Sequence, residues 1–182
     1  HRTRVRCVLP FHPLRVGVLS DVHANLPALE RALDLLVRHG AQRIVCLGDV
    51  VENGPDGDAV VRLLDAWCIP VVRGNHEDNA VRHHALCQGR GVATELSSAT
   101  VDRIARYPMV REYCWAGRFV MLAHGTPRDN GRYVFGEPLP KDLVKSLRQG
   151  RPDVLLLGHT HRPMDIEVDG VRILNPGSVR GD

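Results

Sequence analysis

Five groups of Asp, Asn and His side chains stand along the chain, and each group follows a short apolar run. Their members are Asp21, His23, Asp49, Asn75, His76, His124, His159 and His161. Imidazole, carboxylate and amide donors together suit Mn, Fe, Co, Ni or Zn better than Ca or Mg, which prefer shells made of oxygen alone. Because a carboxylate has two oxygens, one aspartate can bridge two ions about 3.5–4 Å apart. The residue types therefore predict a dinuclear transition-metal site.

The charge of such a site indicates what it would bind. Two divalent ions, the carboxylates of Asp21 and Asp49 and one bridging hydroxide leave a net positive charge, which favours a phosphate anion. Any one of these histidines taken singly is more often a satisfied core side chain than a ligand. The set as a whole favours the ligand interpretation, because its members have the types and positions that a metal site requires.

The elements that must position these groups alternate between strand and helix in the first part of the chain. Apolar runs predict strands at residues 15–20, 43–47 and 69–72, and a leucine stripe from Leu26 to Leu36 predicts a helix between the first two. This alternation predicts parallel strands joined by right-handed crossovers. Ligands of open α/β folds bind beyond the carboxyl ends of the strands, so the groups that follow these strands are expected to meet.

The rest of the chain predicts a more mixed arrangement. Strand 118–123 leads into His124, and strand 154–157 leads into His159. Tight turns at Ala116-Gly117 and Asp169-Gly170 predict hairpins. The remaining predicted elements are helices at residues 77–87 and 96–105, a helix from Pro140 to about residue 147, and strands at 112–115, 166–168 and 171–174.

In this order, the groups resemble the five motifs of the calcineurin-like metallophosphoesterase superfamily, in particular its small bacterial phosphodiesterase-type branch. The matching segments are Asp21-x-His23, Gly48-Asp49, Gly74-Asn75-His76-Glu77, His124-Gly125 and Gly158-His159-Thr160-His161, with Asn175-Pro176-Gly177-Ser178 similar to the closing motif of small bacterial members. The resemblance spans residue 14 to about residue 179. It implies an α/β fold, a four-layer αββα sandwich with two mixed β-sheets. We expect residues 15–182 to form a single metallophosphoesterase domain and residues 1–14 an N-terminal extension.

The resemblance also implies roles for these residues. One ion would be held by Asp21, His23 and His161, the other by Asn75, His124 and His159, and Asp49 would bridge the two. A hydroxide bridging the ions would attack phosphorus in line. His76 would contact the phosphate and act as general acid, since an imidazolium near neutral pH can protonate a leaving alkoxide. The two ions are expected to be Mn, with Fe, Ni, Co or Zn as alternatives.

Neighbouring residues refine this assignment. Glu52 is a candidate to orient His76, with a solvated loop carboxylate as the equal alternative. Asn53 stands where the phosphoprotein phosphatase branch of the family has an arginine that clamps phosphate, and this argues against protein phosphatase activity. Asn53, Arg128 and Arg162 are candidate substrate contacts, although an ordinary surface arginine is the simpler interpretation of the two arginines. His76 stands where several small bacterial phosphodiesterases have cysteine, and it favours a working catalyst.

Composition limits the partners. The chain has 182 residues, 43% of them hydrophobic and 25% charged, with a formal net charge of +3. This balance is typical of a globular protein and gives no strong nucleic-acid or membrane signal. Five scattered cysteines without a CxxC pair predict reduced, buried thiols in a cytoplasmic protein. A homo-oligomer is compatible with the sequence.

The predicted function is therefore metal-dependent hydrolysis of a phosphodiester, with a small substrate such as a nucleotide diester. Two alternatives stay open. The first is a phosphomonoesterase or protein phosphatase. The second is a non-catalytic interaction scaffold that kept the fold, although the complete set of candidate ligands and His76 argue against it.

Overall fold

The structure is a computed structural model, and it describes residues 14–90 and 94–181. All but the last residue of the expected N-terminal extension lies outside the described residues. The elements in chain order are β1 (Val16–Leu19), α1 (Leu26–Arg38), β2 (Arg43–Cys46), α2 (Gly57–Ala66), α3 (Asn75–Gly89), α4 (Ser98–Ile104), β3 (Val110–Trp115), β4 (Arg118–Ala123), α5 (Lys141–Gly150), β5 (Val154–Leu156), β6 (Met164–Val168) and β7 (Val171–Asn175).

The strands form two sheets. In the first sheet β1 pairs with β2 in parallel. The second sheet is mixed and has the order β3-β4-β5-β7-β6, in which β5 is parallel to both of its neighbours and the two hairpins are antiparallel. Both expected hairpins are thus confirmed, and so is the α/β architecture with two sheets.

The prediction of a third strand at residues 69–72 is wrong, because the structure has no strand there. The segment contributes one parallel bridge between Cys46 and Val71, in which Pro70 O accepts from Cys46 N at 2.9 Å and Val72 N donates to Cys46 O at 3.1 Å. The ladder ends there because proline has no N–H to donate. Arg73 N then donates to the carbonyl of Pro108 instead, at 2.8 Å.

Alternating side chains show that the sheets stack between helices. On β4, Val120 and Leu122 pack in a cluster with Val45 and Leu47 of the first sheet. Met121 and Ala123, which point to the other face of β4, pack in a second cluster with Leu143 and Leu147 of α5. The opposite face of the first sheet packs in a third cluster against α1 and α2. Since successive strand residues point to opposite faces, these three clusters confirm the order helix, sheet, sheet, helix.

Local signals set the first helix. Asn25 caps α1, because its Oδ1 accepts from Ala28 N at 3.1 Å, and Gly40 follows the helix with φ of 74°. Leu29 and Leu33 are buried from the same face. Trp67 directly follows α2 and is 46% exposed.

The cysteines depart in part from the expectation of buried, reduced thiols. Cys46, Cys68 and Cys87 are free, but only Cys46 is buried. Cys114 takes part in a disulfide, so the expectation of a reduced thiol is wrong for this residue. Among the described residues, no helix is both long enough and apolar enough to span a membrane.

Candidate metal centre

The structure brings the predicted ligands together in triads of donor atoms. In each triad the ligand atoms all lie within 4.8 Å of one another. The triads are Asp21, His23 and His161; Asp49, His124 and His159; and His23, Asp49 and His76. The first contains the residues of one ion site implied by the family resemblance, and the second contains His124 and His159 of the other site together with Asp49. The third shows that the imidazole of His76 faces the same space.

Close contacts tie the triads to each other. His23 Nε2 lies 3.0 Å from His161 Nε2, and His161 Nε2 lies 3.3 Å from Asp21 Oδ1. On the other side, His124 Nε2 lies 3.0 Å from Asp49 Oδ2 and 3.9 Å from Asp21 Oδ1. The donors of both sites therefore point into one shared cleft.

Three of the donor atoms are buried and make no hydrogen bond of ordinary geometry, namely Asp21 Oδ1, Asn75 Oδ1 and His124 Nε2. Buried polar atoms are nearly always hydrogen-bonded, and here the polar atoms that face Asp21 Oδ1 and His124 Nε2 belong to other candidate ligands. A divalent cation would satisfy all three, and the mixture of imidazole nitrogen with carboxylate and amide oxygen suits a transition metal. The residues present therefore fit bound divalent ions.

The charge states of these groups follow from burial and from one another. Burial raises the pKa of Asp21 and lowers the pKa of His23 to about 4, which leaves that imidazole neutral as a metal ligand must be. Burial acts against the charged forms of Asp49 and His124 as well, but their mutual attraction prevails. It holds the pKa of Asp49 at about 2 and raises the pKa of His124 to about 9.

The N-terminus of α3 anchors the central aspartate. Asp49 Oδ1 accepts from His76 N at 3.0 Å. The carboxylate of Glu77 is fully buried and accepts from the backbone N–H groups of Asp49, Val50 and Gly74 at 2.7–3.0 Å. Glu77 thereby joins the loop after β2 to the first turn of α3. In the sequence, Glu77 is the last residue of the third motif and the start of a predicted helix, and neither feature indicates this buried role.

His76 and its neighbours occupy the mouth of the cleft. Glu52 Oε2 lies 2.6 Å from His76 Nδ1, at the position that the orienting role requires. His76 Nε2 lies 3.9 Å from Asp49 Oδ2. Asn53 is exposed, and its Nδ2 lies 3.3 Å from His23 Nδ1, so the amide contacts a ligand ring from outside.

The backbone around the ligands is unusual. Five candidate ligand residues have positive φ between 50° and 68°, namely Asp21, His23, Asp49, His159 and His161. Non-glycine residues seldom adopt this conformation, and such strain clusters at functional sites. Glycine allows the loops to approach closely, since a Cβ on Gly74 would lie 2.1 Å from Asp49 Oδ1 and one on Gly158 would lie 2.0 Å from Ser20 Oγ.

The closing motif braces the ligand loops. Asn175 Nδ2 donates to Gly158 O at 2.6 Å, and Ser178 Oγ donates to the backbone carbonyl of Asp21 at 3.0 Å. Ser20 Oγ donates to Asp21 Oδ2 at 2.5 Å. These supports had a weak signal in the sequence, as small polar residues inside or beside the matched motifs.

The two candidate arginines are exposed and contact residues outside the triads. Arg128 Nη2 donates to Gln149 Oε1 at 2.7 Å, and the guanidinium of Arg162 lies over the ring of Phe135, 5.5 Å from its centroid. Phe135 belongs to a loop in which the ring of Tyr133 stacks on His159 with centroids 4.0 Å apart. No sequence signal singled out either aromatic residue.

Comparison with known proteins identifies relatives across nearly the whole chain. Residues 14–182 match the family model of the calcineurin-like phosphoesterase superfamily domain. Phosphodiesterase YfcE of Escherichia coli is 30% identical over 174 residues, which cover 91% of this chain and 79% of that protein. A metallophosphoesterase from Sphaerobacter thermophilus superposes with a TM-score of 0.69 at 24% identity, covering 92% of this chain and 78% of that one. Vps29 of Chaetomium thermophilum shares the fold at a TM-score of 0.58 and 16% identity, over 92% and 70% of the two chains.

Proposed function

The chain belongs to the calcineurin-like phosphoesterase superfamily, whose enzymes hydrolyse phosphoester bonds, and on that premise we propose that it is a phosphodiesterase that uses two divalent transition-metal ions. The observation that carries this proposal is the set of three buried ligand atoms without a hydrogen bond, on Asp21, Asn75 and His124. Asp21 and His124 face the shared cleft and Asn75 is the first residue of α3, next to His76, so a cation is the simplest partner for all three. Mn²⁺ is the first choice for both ions.

The ligand sets support a position for each ion. Asp21, His23 and His161 would hold one, and Asn75, His124 and His159 would hold the other. Asp49 would contact both, because it stands between the triads. When bound, such ions polarise the phosphoryl oxygens and lower the pKa of a coordinated water, which makes a nucleophile available near neutral pH.

The chain's own proton donor in this proposal is His76. Glu52 accepts from His76 Nδ1 at 2.6 Å, and this contact directs Nε2 into the cleft. A proton on Nε2 can then pass to the leaving oxygen, while Glu52 stabilises the imidazolium that carries it. Glu52 is a positioning residue, because its contact is with the imidazole and not with the reacting atoms.

A diester is favoured over a monoester by charge. A monoester carries a second negative charge, and Asn53 offers an uncharged amide next to His23 at the position of the phosphatase arginine. Beside Glu52 and Asn53 opens a cavity of about 720 Å³, which has the size of a small-molecule site. We propose that this cavity receives the leaving alcohol of a small substrate such as a nucleotide diester.

Parallel assays test the choice of bond. The Mn-loaded protein is given bis(p-nitrophenyl) phosphate and p-nitrophenyl phosphate, and we expect the diester to have at least a tenfold higher kcat/KM. A higher value for the monoester would overturn the diester assignment in favour of a phosphomonoesterase. If neither ester is hydrolysed, the protein has kept the fold without catalysis, and the scaffold alternative is correct.

A cytoplasmic location is also a proposal. It is supported by the free thiols of Cys46, Cys68 and Cys87, which are typical of a reducing compartment. The disulfide at Cys114 favours an oxidising compartment instead. Alkylation of Cys114 in intact cells decides between them, since complete protection of this thiol would indicate an oxidising compartment.

A further inference from the structure

Two large aromatic side chains stand exposed next to the cleft. Tyr133 is 56% exposed and Phe135 is 62% exposed, and their rings are parallel within 3° with centroids 5.6 Å apart. We call this pair the aromatic step. Val134 between them is 3% exposed and packs in the cluster that contains α5, so its two neighbours must project from the opposite side of the backbone.

The aromatic step is continuous with the metal ligands. Tyr133 stacks on the His159 ring with centroids 4.0 Å apart and an interplanar angle of 25°. The loop that carries the step also contacts His159, whose Nε2 lies 3.0 Å from Gly131 O. A path of stacked rings therefore runs from a candidate ligand outward to Phe135, and the guanidinium of Arg162 lies 5.5 Å above the last ring.

The step lies on one particular side of the cleft. His159 belongs to the triad with His124, whereas His76 belongs to the triad with His23, and Asp49 is common to both. A phosphodiester has two organic arms. The arm protonated by His76 leaves into the cavity beside Glu52, so the aromatic step is positioned for the arm that stays on the phosphate.

We propose that the aromatic step is a subsite for the nucleobase of the retained nucleoside, so that the substrate is a diester of a nucleoside monophosphate. This inference rests on the proposed phosphodiesterase function. A base has a flat π-face that stacks on an aromatic ring whatever its hydrogen-bonding edge, so the subsite accepts different bases. Arg162 is exposed and already lies over the Phe135 ring, so its planar guanidinium would cover the outer face of the bound base.

A matched pair of substrates isolates this subsite. Thymidine 5′-(p-nitrophenyl phosphate) and methyl p-nitrophenyl phosphate have the same leaving group and differ only in the retained arm. The variant Phe135→Leu keeps apolar bulk, removes the ring face and touches no candidate metal ligand. Trp67→Leu, which changes an exposed aromatic residue at the end of α2, is the control.

We expect the ratio of kcat/KM for the nucleoside substrate to that for the methyl substrate to fall at least about fivefold in Phe135→Leu, the lower end for loss of one stacked base. The ratio should stay at the wild-type value in Trp67→Leu. If both substrates are hydrolysed and Phe135→Leu leaves the ratio unchanged, the inference is overturned while the phosphodiesterase function stands. An equal fall in Trp67→Leu also overturns it, because the effect is then not local.

A binding measurement decides the inference even if neither substrate is hydrolysed, a result that would refute the proposed function. In Phe135→Trp, a stacked base quenches the new indole, so adenosine 5′-monophosphate should reduce the emission added by this residue. Ribose 5-phosphate, which has the sugar and phosphate without the base, should leave that emission unchanged. Equal responses to the two ligands would contradict base stacking at this position.

Discussion

The clearest steric test of the centre is the substitution Gly74→Ala. Gly74 precedes α3 with φ of −92° and ψ of 177°, an extended conformation that alanine adopts without strain. The added Cβ would lie 2.1 Å from Asp49 Oδ1 and 2.6 Å from Asp49 N, whereas real Cβ atoms essentially never approach closer than 3.0 Å. The three atoms nearest to the added Cβ all belong to Asp49, so the substitution acts first through contact with Asp49.

The magnitude follows from those distances. Oδ1 must retreat by about 0.9 Å, which breaks its hydrogen bond with His76 N and forces the backbone of Asp49 outward. Overpacking costs about 1–3 kcal/mol, and a lost hydrogen bond to a charged group costs about 1.5–3 kcal/mol. A combined loss of about 3 kcal/mol corresponds to a fall in Tm of roughly 6–12 °C for a chain of this size.

Thermal melting and metal analysis measure the two consequences. We expect Gly74→Ala to melt lower and to retain less Mn²⁺ after gel filtration, because Asp49 is displaced from both triads. Gly89→Ala, at the last residue of α3 with nothing within 4 Å of the added methyl, should melt at or slightly above the wild-type temperature. A Gly74→Ala protein that melts within about 2 °C of wild type and keeps its metal would refute the assignment of Asp49.

Three further substitutions test the roles of individual side chains. Asp49→Asn should abolish metal retention, so that Mn²⁺ at 100 times the wild-type Kd, which stabilises the wild type by about 2.7 kcal/mol, no longer raises its Tm; an unchanged rise would contradict the bridging role. His76→Ala should keep the metal, as shown by elemental analysis, and lose about 10²–10⁴-fold in kcat; a loss of metal instead would make His76 a ligand. Glu52→Gln should lower kcat less than His76→Ala and should have no effect in the His76→Ala background. Additive losses in the double variant would show that Glu52 does not act through His76.

Much of the fold could be predicted because local signals and burial agree. The leucine stripe of α1 and the turn at Asp169-Gly170 are both local, and the structure follows them. Residues 119–123 of β4 and all of β5 are apolar without interruption, because both faces of these strands are covered. The third predicted strand failed because Pro70 removes a donor from a ladder that would need it.

The ligand positions could be predicted from residue type and order, but the supports of the ligands could not. Glu77 occupies the third position of a helix, where glutamate is ordinary, and only the tertiary fold places Asp49 and Val50 against its carboxylate. The stacking of Tyr133 on His159 likewise depends on the path of a long loop that no short-range pattern specifies.

The candidate ligand residues with positive φ show why the hydrogen bonds around them matter. Asp21 and His159 adopt positive φ without being glycine, at a cost of order 1–3 kcal/mol each. The surrounding bonds offset this cost, since Ser178 and Asn175 hold the two loops. Strain of this kind would relax in an isolated peptide, so the motifs predict a site only when the closing segment is present to brace it.

The hydrogen bonds of Asp49 restrict how it serves two ions. Its Oδ1 accepts a hydrogen bond from the N–H of His76 at the N-terminus of α3, where the helix dipole also favours a negative charge. Its Oδ2 points the other way, 3.0 Å from His124 Nε2 and 3.9 Å from His76 Nε2. The two oxygens belong to one rigid carboxylate, so a displacement of Oδ1 from His76 N also moves Oδ2 away from His124. If Asp49 holds both ions, a shift of less than 1 Å at Oδ1 is therefore expected to disturb both sites together.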